Sequence, residues 1–301
     1  MTSWTNATAA EPRQVGPRGR ADGLGEIVHP QRTDQVMERG LLEVTSPALE
    51  AYADRFWSVR WRRHGAPLEL SEVITNPICH LTFEDGRRED GGPLVRHGVD
   101  MPAAVLTTVW TDRFVVRLEG EARVFGVRFR PGALAAIAGR ELATDQSLAV
   151  SDVLSGAADV LRDVLAEPRD EVRREIVQAW LEPQLPEPSA DYLTAAGLVD
   201  AVRLDDSIVR VEQIGAARDV SVRTVQRLFR RYIGATPKWV LTRCRLQDAA
   251  AVLDSTPDAD LAEVAARLGW YDQSHFVRDF RRFLGVTPGQ YARDARQGSH
   301  P

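Results

Sequence analysis

The sequence predicts an α+β chain. A β-rich, barrel-like amino-terminal domain with a helical extension precedes an all-α domain of two helix-turn-helix units joined by a linking helix. Three observations predict this. Between about residues 29 and 130, short β-branched or aromatic stretches are separated by Gly, Asp and Asn-Pro turns. After Pro131-Gly132 the apolar spacing becomes helical. Beyond residue 190, one helical pattern occurs twice, at an offset of 50 to 51 residues.

In chain order, residues 1–28 read as a polar tail. Strands are expected at 41–45, 68–75, 78–84, 104–110, 113–120 and 122–129 within a β-rich sensor domain, 29–148. The first is followed by a helix over SPALEAYADRFW (46–57), with Ser46 as cap and Pro47 in the first turn. Helices are expected near 132–139, 151–165 and 168–182, where Val153, Leu154, Val160, Leu161, Val164 and Leu165 recur at helical spacing. EPQLPEP (182–188) closes a helical segment and Pro-rich linker, 149–188. The paired units occupy 190–296, and 297–301 is a tail.

At 301 residues, 44% hydrophobic and 27% charged, the composition is that of an ordinary water-soluble chain with sizeable cores. Two cysteines, Cys79 and Cys244, are too few for a disulfide framework or a cysteine-based zinc site. They point to a reducing compartment, and the expected location is the cytoplasm. No apolar run approaches the ~18 residues of a membrane span, and the first 25 residues lack the apolar centre of a secretion signal. A secreted, disulfide-rich or membrane-spanning protein is therefore not expected. The net charge of −5 is uneven. Residues 190–301 hold 16 basic and 14 acidic side chains, and 221–245 hold seven basic residues and no acid. A solvated helix face explains most such runs; a polyanion footprint is the sharper alternative.

The repeat favours the second. VRTVQRLFRRYIGATP (222–237) aligns with QSHFVRDFRRFLGVTP (273–288), and VEQIGAAR (211–218) with LAEVAARL (261–268). Each copy is a short helix, a turn and a longer helix. At 100° per residue, Val225, Leu228, Phe229 and Tyr232 fall on one side of the first longer helix. Arg223, Arg227 and Arg230 fall opposite, flanked by Gln226. In the second copy Phe276, Phe280 and Phe283 face inward, while Ser274, Arg278 and Arg281 face outward between Gln273 and His275. Asp279 falls on the inward side and is expected to pair with a nearby arginine. Arginine and glutamine can each grip one purine edge with two hydrogen bonds. Thr236-Pro237 starts a linking helix of about 18 residues, roughly 27 Å, suited to two helices held near one DNA turn apart.

Residues 196–296 resemble the tandem helix-turn-helix domain of AraC-type transcription regulators. The resemblance runs through Arg227-Leu-Phe-Arg, Gly234-Ala-Thr-Pro, Arg245-Leu-Gln-Asp-Ala, Val264-Ala-Ala-Arg-Leu-Gly-Trp, Gln273-Ser-His-Phe-Val-Arg-Asp-Phe-Arg-Arg and Gly285-Val-Thr-Pro. One departure is Ala292 where the family often has arginine, with Arg293 one place later. The resemblance implies a double-stranded DNA partner, RNA polymerase as a further partner, an activator role and no enzymatic activity. Expected base readers are Arg223, Gln226, Arg227, Gln273, Ser274, His275 and Arg278. Expected phosphate contacts are Arg230, Arg231, Thr236, Lys238, Arg281, Arg282 and Thr287, with Ser221 and Asp272 as helix caps. A DNA-repair alkyltransferase fused to such a domain needs a cysteine cluster that two scattered cysteines do not supply.

RFWSVRW (55–61), TNPICHLTFEDG (75–86) and FGVRFRPGALAAI (125–137) are similar to the front domain of an actinobacterial subgroup of these regulators. That domain is expected to sense a small molecule and, with helices 151–182, to dimerise; the alternative is a scaffold that contacts only a protein partner. Trp57, Trp61, His80, Trp110 and Phe129 are the effector-binding candidates, although strand-spaced aromatics are more often plain core. His80, Glu84 and His97 do not match metal-strand spacing, so no metal or other cofactor is expected. Cys244 is expected to act as a small buried hydrophobe.

Overall fold

The structure, a computed structural model, describes residues 26–27, 36–66, 69–96 and 98–298. The expected amino-terminal tail, apart from 26–27, the last three residues and His97 lie outside the described residues.

Period-two sequence builds the strands β1 (Glu26–Ile27), β2 (Glu38–Glu43), β3 (Ala53–Arg63), β4 (Glu69–Ile74), β5 (His80–Arg87), β6 (Val95–Arg96), β7 (Val99–Asp100), β8 (Ala103–Thr107), β9 (Phe114–Leu118), β10 (Gly120–Phe129) and β11 (Ser147–Ala149). All pairings are antiparallel. One sheet has the order β11-β8-β5-β10-β3-β2, a second the order β1-β4-β9, and β6-β7 is a hairpin. Alternation gives the large sheet two working faces. Trp57, Trp61, His80, Thr82 and Val105 look toward the second sheet across a cavity. Phe56, Leu81, Phe83, Leu106, Phe125 and Val127 look the other way, into the main core.

Two local expectations fail. The helix expected over 46–57 is a single turn, α1 (Pro47–Glu50), with Ser46 accepting from Leu49 N at 3.3 Å. From Ala53 the alternation of Phe56 toward the core and Trp57 toward the cavity prevails, and the chain becomes β3. Likewise, the region expected to be helical from 133 to 182 contains β11, whose Leu148 pairs with Leu106 of β8 and extends the sheet.

The helices α2 (Ala133–Ile137), α3 (Ala157–Ala166) and α4 (Asp170–Leu181) follow β10. Val160, Val164, Val177 and Leu181 cover the outer face of the large sheet. The proline-rich segment is pinned rather than loose, since Tyr52 donates its hydroxyl to Pro186 O at 2.6 Å. The carboxy-terminal helices are α5 (Ala190–Leu204), α6 (Val211–Ala216), α7 (Val222–Leu228, continued by a π turn at Phe229–Ile233), α8 (Pro237–Ser255), α9 (Leu261–Arg267), α10 (Gln273–Leu284) and α11 (Pro288–Gly298). Tyr192, Ile214, Leu228 and Phe229 share one continuous core with the β domain. Trp270, Phe276, Phe280 and Tyr291 form a separate core. The long helix α8 serves both, with Val240, Leu241 and Cys244 in the first and Leu246, Ala250 and Leu253 in the second.

Candidate functional site

Each outward strip exists because the opposite side of its helix is buried. Helix α7 starts at Ser221, whose hydroxyl accepts from Thr224 N at 3.2 Å. Val225, Leu228 and Phe229 are wholly buried. Arg223, Gln226, Arg227 and Arg230 are therefore exposed, and with Thr224 they line one surface. Helix α10 repeats the plan. Asp272 caps it by accepting from His275 N at 2.7 Å, and Phe276, Phe280 and Leu284 are buried. Gln273, Ser274, His275, Arg278, Arg281 and Arg282 are exposed. At its far end Gly285 (φ 71°) touches the β domain: a Cβ there would meet the Arg113 guanidinium carbon at 2.6 Å.

Helix α8 begins at Thr236, whose hydroxyl accepts from Trp239 N at 3.2 Å, with Pro237 in the first turn. Helix α11 begins at Thr287, which exchanges hydrogen bonds with Gln290 at 2.9 and 3.3 Å. Thr236, Lys238, Thr242, Arg245, His275 and Arg282 line a groove between the two units. The Arg245 guanidinium lies 4.0 Å from the centre of the Trp270 ring, as a cation–π contact.

The structure changes the surroundings of several expected site residues. Arg227 is engaged by Asp191 of α5, at 2.7 and 3.4 Å. That hydrogen bond holds the Asp191 carboxyl below its usual range. Arg230 faces Glu141 at 3.6 Å. Arg231, expected among the phosphate contacts, turns away from the strip. It is partly buried, stacks 4.9 Å from the Tyr232 ring and donates to Ala135 O at 3.4 Å. Its position follows the α2 contact, which a single-helix projection does not contain. Asp279 was expected to pair with arginine. Instead it accepts from Trp270 Nε1 at 3.0 Å and sits 3.3 Å from His275 Nε2. Tyr271 was missed; it is 94% exposed, immediately before the α10 cap. An aromatic ring beside a recognition-helix cap was the signal available in the sequence.

Residues 215–294 match the family model of a helix-turn-helix domain, and residues 44–148 that of a domain of unknown function. The chain is 34% identical over 87 residues to the HTH-type transcriptional regulator MtrA of Neisseria gonorrhoeae, covering 29% of each protein. It is 38% identical over 108 residues to the transcriptional activator NphR of a Rhodococcus species, covering 36% of this chain and 32% of that one. It is also 36% identical over 87 residues to the activator RhaS of Klebsiella pneumoniae, covering 29% and 30%. The carboxy-terminal module thus matches a helix-turn-helix domain, and it is this part of the chain that aligns with the transcriptional regulators. The chain spans between 29% and 32% of the length of these relatives. Among solved structures, ToxT from Vibrio cholerae aligns at 10% identity and a TM-score of 0.43, over 85% of this chain and 98% of that one.

Apart from the helix-turn-helix domain, the second candidate site is the cavity between the two sheets, about 130 Å³. Of the effector candidates, Trp57, Trp61, His80 and Trp110 line it. Phe129 does not; it is fully buried in the main core, because it faces the helices rather than the second sheet. Gly126 of β10 lets Trp57 lie flat across the strand, since a Cβ there would sit 2.5 Å from the indole. Trp57 and His80 pack edge to face at 5.7 Å. Burial first, then the nearby Arg128 charge, lowers the His80 pKa to about 3, so the imidazole is neutral. Glu84, buried in the wall, pairs with Arg96 at 2.9 Å and accepts from Thr82 Oγ1 at 2.6 Å. Cys79 is buried nearby, and burial pushes its thiol up to about 12, which makes it an unreactive packing group. Among the described residues no group of three or more His, Cys, Asp or Glu is arranged for a metal ion. No helix of the described residues is long and apolar enough to cross a membrane.

Proposed function

We propose that the chain is a sequence-specific transcription regulator, an activator, that lays α7 and α10 in successive major grooves of double-stranded DNA. Arg223, Gln226 and Arg227, and Gln273, Ser274, His275 and Arg278, read base edges. Arg230, Lys238, Arg281 and Arg282, with the helix starts at Thr236 and Thr287, hold phosphates. Tyr271 adds a contact at the tip of α10. RNA polymerase is the partner recruited, and the front domain senses a small molecule. One observation carries the reading: two capped helices present exposed arginine and amide strips from two separate cores joined by a single 19-residue helix. The cavity favours sensing over a front domain that only contacts a protein.

In vitro selection from random duplexes with the full chain tests it. One enriched motif with two half-elements is expected; uniform recovery of all sequences contradicts the reading. On the enriched duplex, Arg223→Ala or Arg278→Ala should each cost about 1–3 kcal/mol and relax preference at one position. Arg281→Ala should weaken all sequences alike and lower the slope of log affinity against log salt by about 1.

A further inference from the structure

The loop that closes one end of the cavity is also the place where α8 meets the β domain. Arg243, almost wholly buried on α8, donates from Nε to Thr75 O and from Nη2 to Thr75 Oγ1, both at 2.8 Å. Gln247, one turn on, donates to Asn76 Oδ1 at 2.7 Å. Thr75 Oγ1 in turn donates to Trp110 O at 2.7 Å. Thr75, Asn76 and Trp110 all line the cavity. The Arg243 guanidinium also lies 5.3 Å from the ring of Phe283, on the second recognition helix. Cavity wall, linking helix and α10 are thus in direct succession, through buried polar contacts that admit few alternative arrangements.

The cavity's chemistry limits what it can take. Its volume is close to that of the ~150 Å³ apolar cavities that accept one benzene ring. His80, Glu84 and Arg96 are the ionisable groups among its described lining residues. The last two neutralise each other, and His80 carries no charge. A charged guest would lose its hydration and meet no counter-ion. Three buried polar atoms of the lining, Trp57 Nε1, His80 Nδ1 and Ser147 Oγ, have neither a hydrogen-bond nor an ion-pair partner among the described residues. Indole N–H is a donor only, so it calls for an acceptor on the guest.

Resting on the sensing role proposed above, we propose that the cavity binds an uncharged molecule of about one ring bearing a hydrogen-bond acceptor, and that Thr75 and Asn76 pass its presence to α8 through Arg243 and Gln247. A guest that displaces Trp110 or Asn76 alters the seat of α8, and with it the spacing between α7 and α10.

The test uses the full chain and four probes of one shape: benzyl alcohol, toluene, benzoate and benzylammonium. Calorimetric titration should show one benzyl alcohol per chain, with both charged probes at least about tenfold weaker. Trp57→Phe should weaken benzyl alcohol about tenfold and leave toluene unchanged, a split that general unfolding would not produce. Saturating benzyl alcohol should change affinity for the selected duplex by about fivefold or more. Gln247→Met, outside the cavity, should keep the benzyl alcohol affinity and lose that change. Equal binding of a charged probe overturns the ligand class, and an undiminished response in Gln247→Met overturns the route. A chain that binds its duplex but takes no uncharged probe overturns this inference and leaves the DNA reading intact. A chain that takes benzyl alcohol but no duplex overturns the DNA reading, and the coupling falls with it.

Discussion

On the reading proposed above, Asp191 and DNA compete for one guanidinium. Arg227 reaches Asp191 across 36 residues of sequence, and both side chains are about half exposed. Solvent screens exposed pairs of this kind, so the contact is too weak to keep Arg227 from a base edge but enough to weaken binding. The carboxylate also adds a negative charge where phosphates would approach. Asp191→Asn should therefore tighten the Kd for the selected duplex by about two- to fivefold at ~0.1 M salt. Fluorescence anisotropy would measure it, and an unchanged or weaker Kd would show that Arg227 takes no part in reading. Tyr271, exposed beside the α10 cap, should give the opposite result, with Tyr271→Ala weakening binding and leaving stability within about 0.5 kcal/mol.

At the scale of elements, the contact between α8 and α11 contains a misfit. Asp254 accepts from the Tyr291 hydroxyl at 3.0 Å, while its other carboxylate oxygen is buried with no hydrogen-bond partner among the described residues. Burial raises the Asp254 pKa to about 6, and the tyrosine bond offsets this only in part. The folded state therefore holds its proton more tightly than the unfolded chain, whose carboxyl titrates near ~4. This residue's contribution to stability is greatest below about pH 4, falls between about pH 4 and 6, and stays low above that. Asp254→Asn, which keeps an acceptor for Tyr291, should stabilise the second unit at pH 7.5 by on the order of 2 kcal/mol and abolish the difference at pH 4. Denaturant unfolding of both proteins at the two pH values would measure it; a penalty at pH 7.5 would refute the account. Much at this scale was legible in the sequence. Ser221, Thr236 and Asp272 cap where their residue types and spacing placed them, because a cap bonds three residues away. The early helix was misread because Pro47 and Ser46 start a turn that the strand pattern of Phe56 and Trp57 then overrides. Arg231 bonding to Ala135, 96 residues away, and Arg243 to Thr75, 168 away, depend on how domains meet, which no local period encodes.

Across the whole molecule, the two helix-turn-helix units look alike in sequence but differ in support. The first shares its core with the β domain, through Tyr192, Leu228, Phe229 and Ile233; the second packs around Trp270, Phe276 and Phe280 on its own. Hydrogen exchange should therefore find the amides of α9 and α10 opening at a lower free energy than those of α7, which should open only with the β domain. Equal protection of the two units would mean that the second draws support through Arg113 and Arg243 comparable to a shared core. For anyone building chimaeras, the proline stretch before residue 190 is the inviting place to cut and the wrong one: a graft made there exposes raw apolar surface on both pieces. The natural seam falls halfway along α8, near Arg245, where one interior gives way to the next within a single rod.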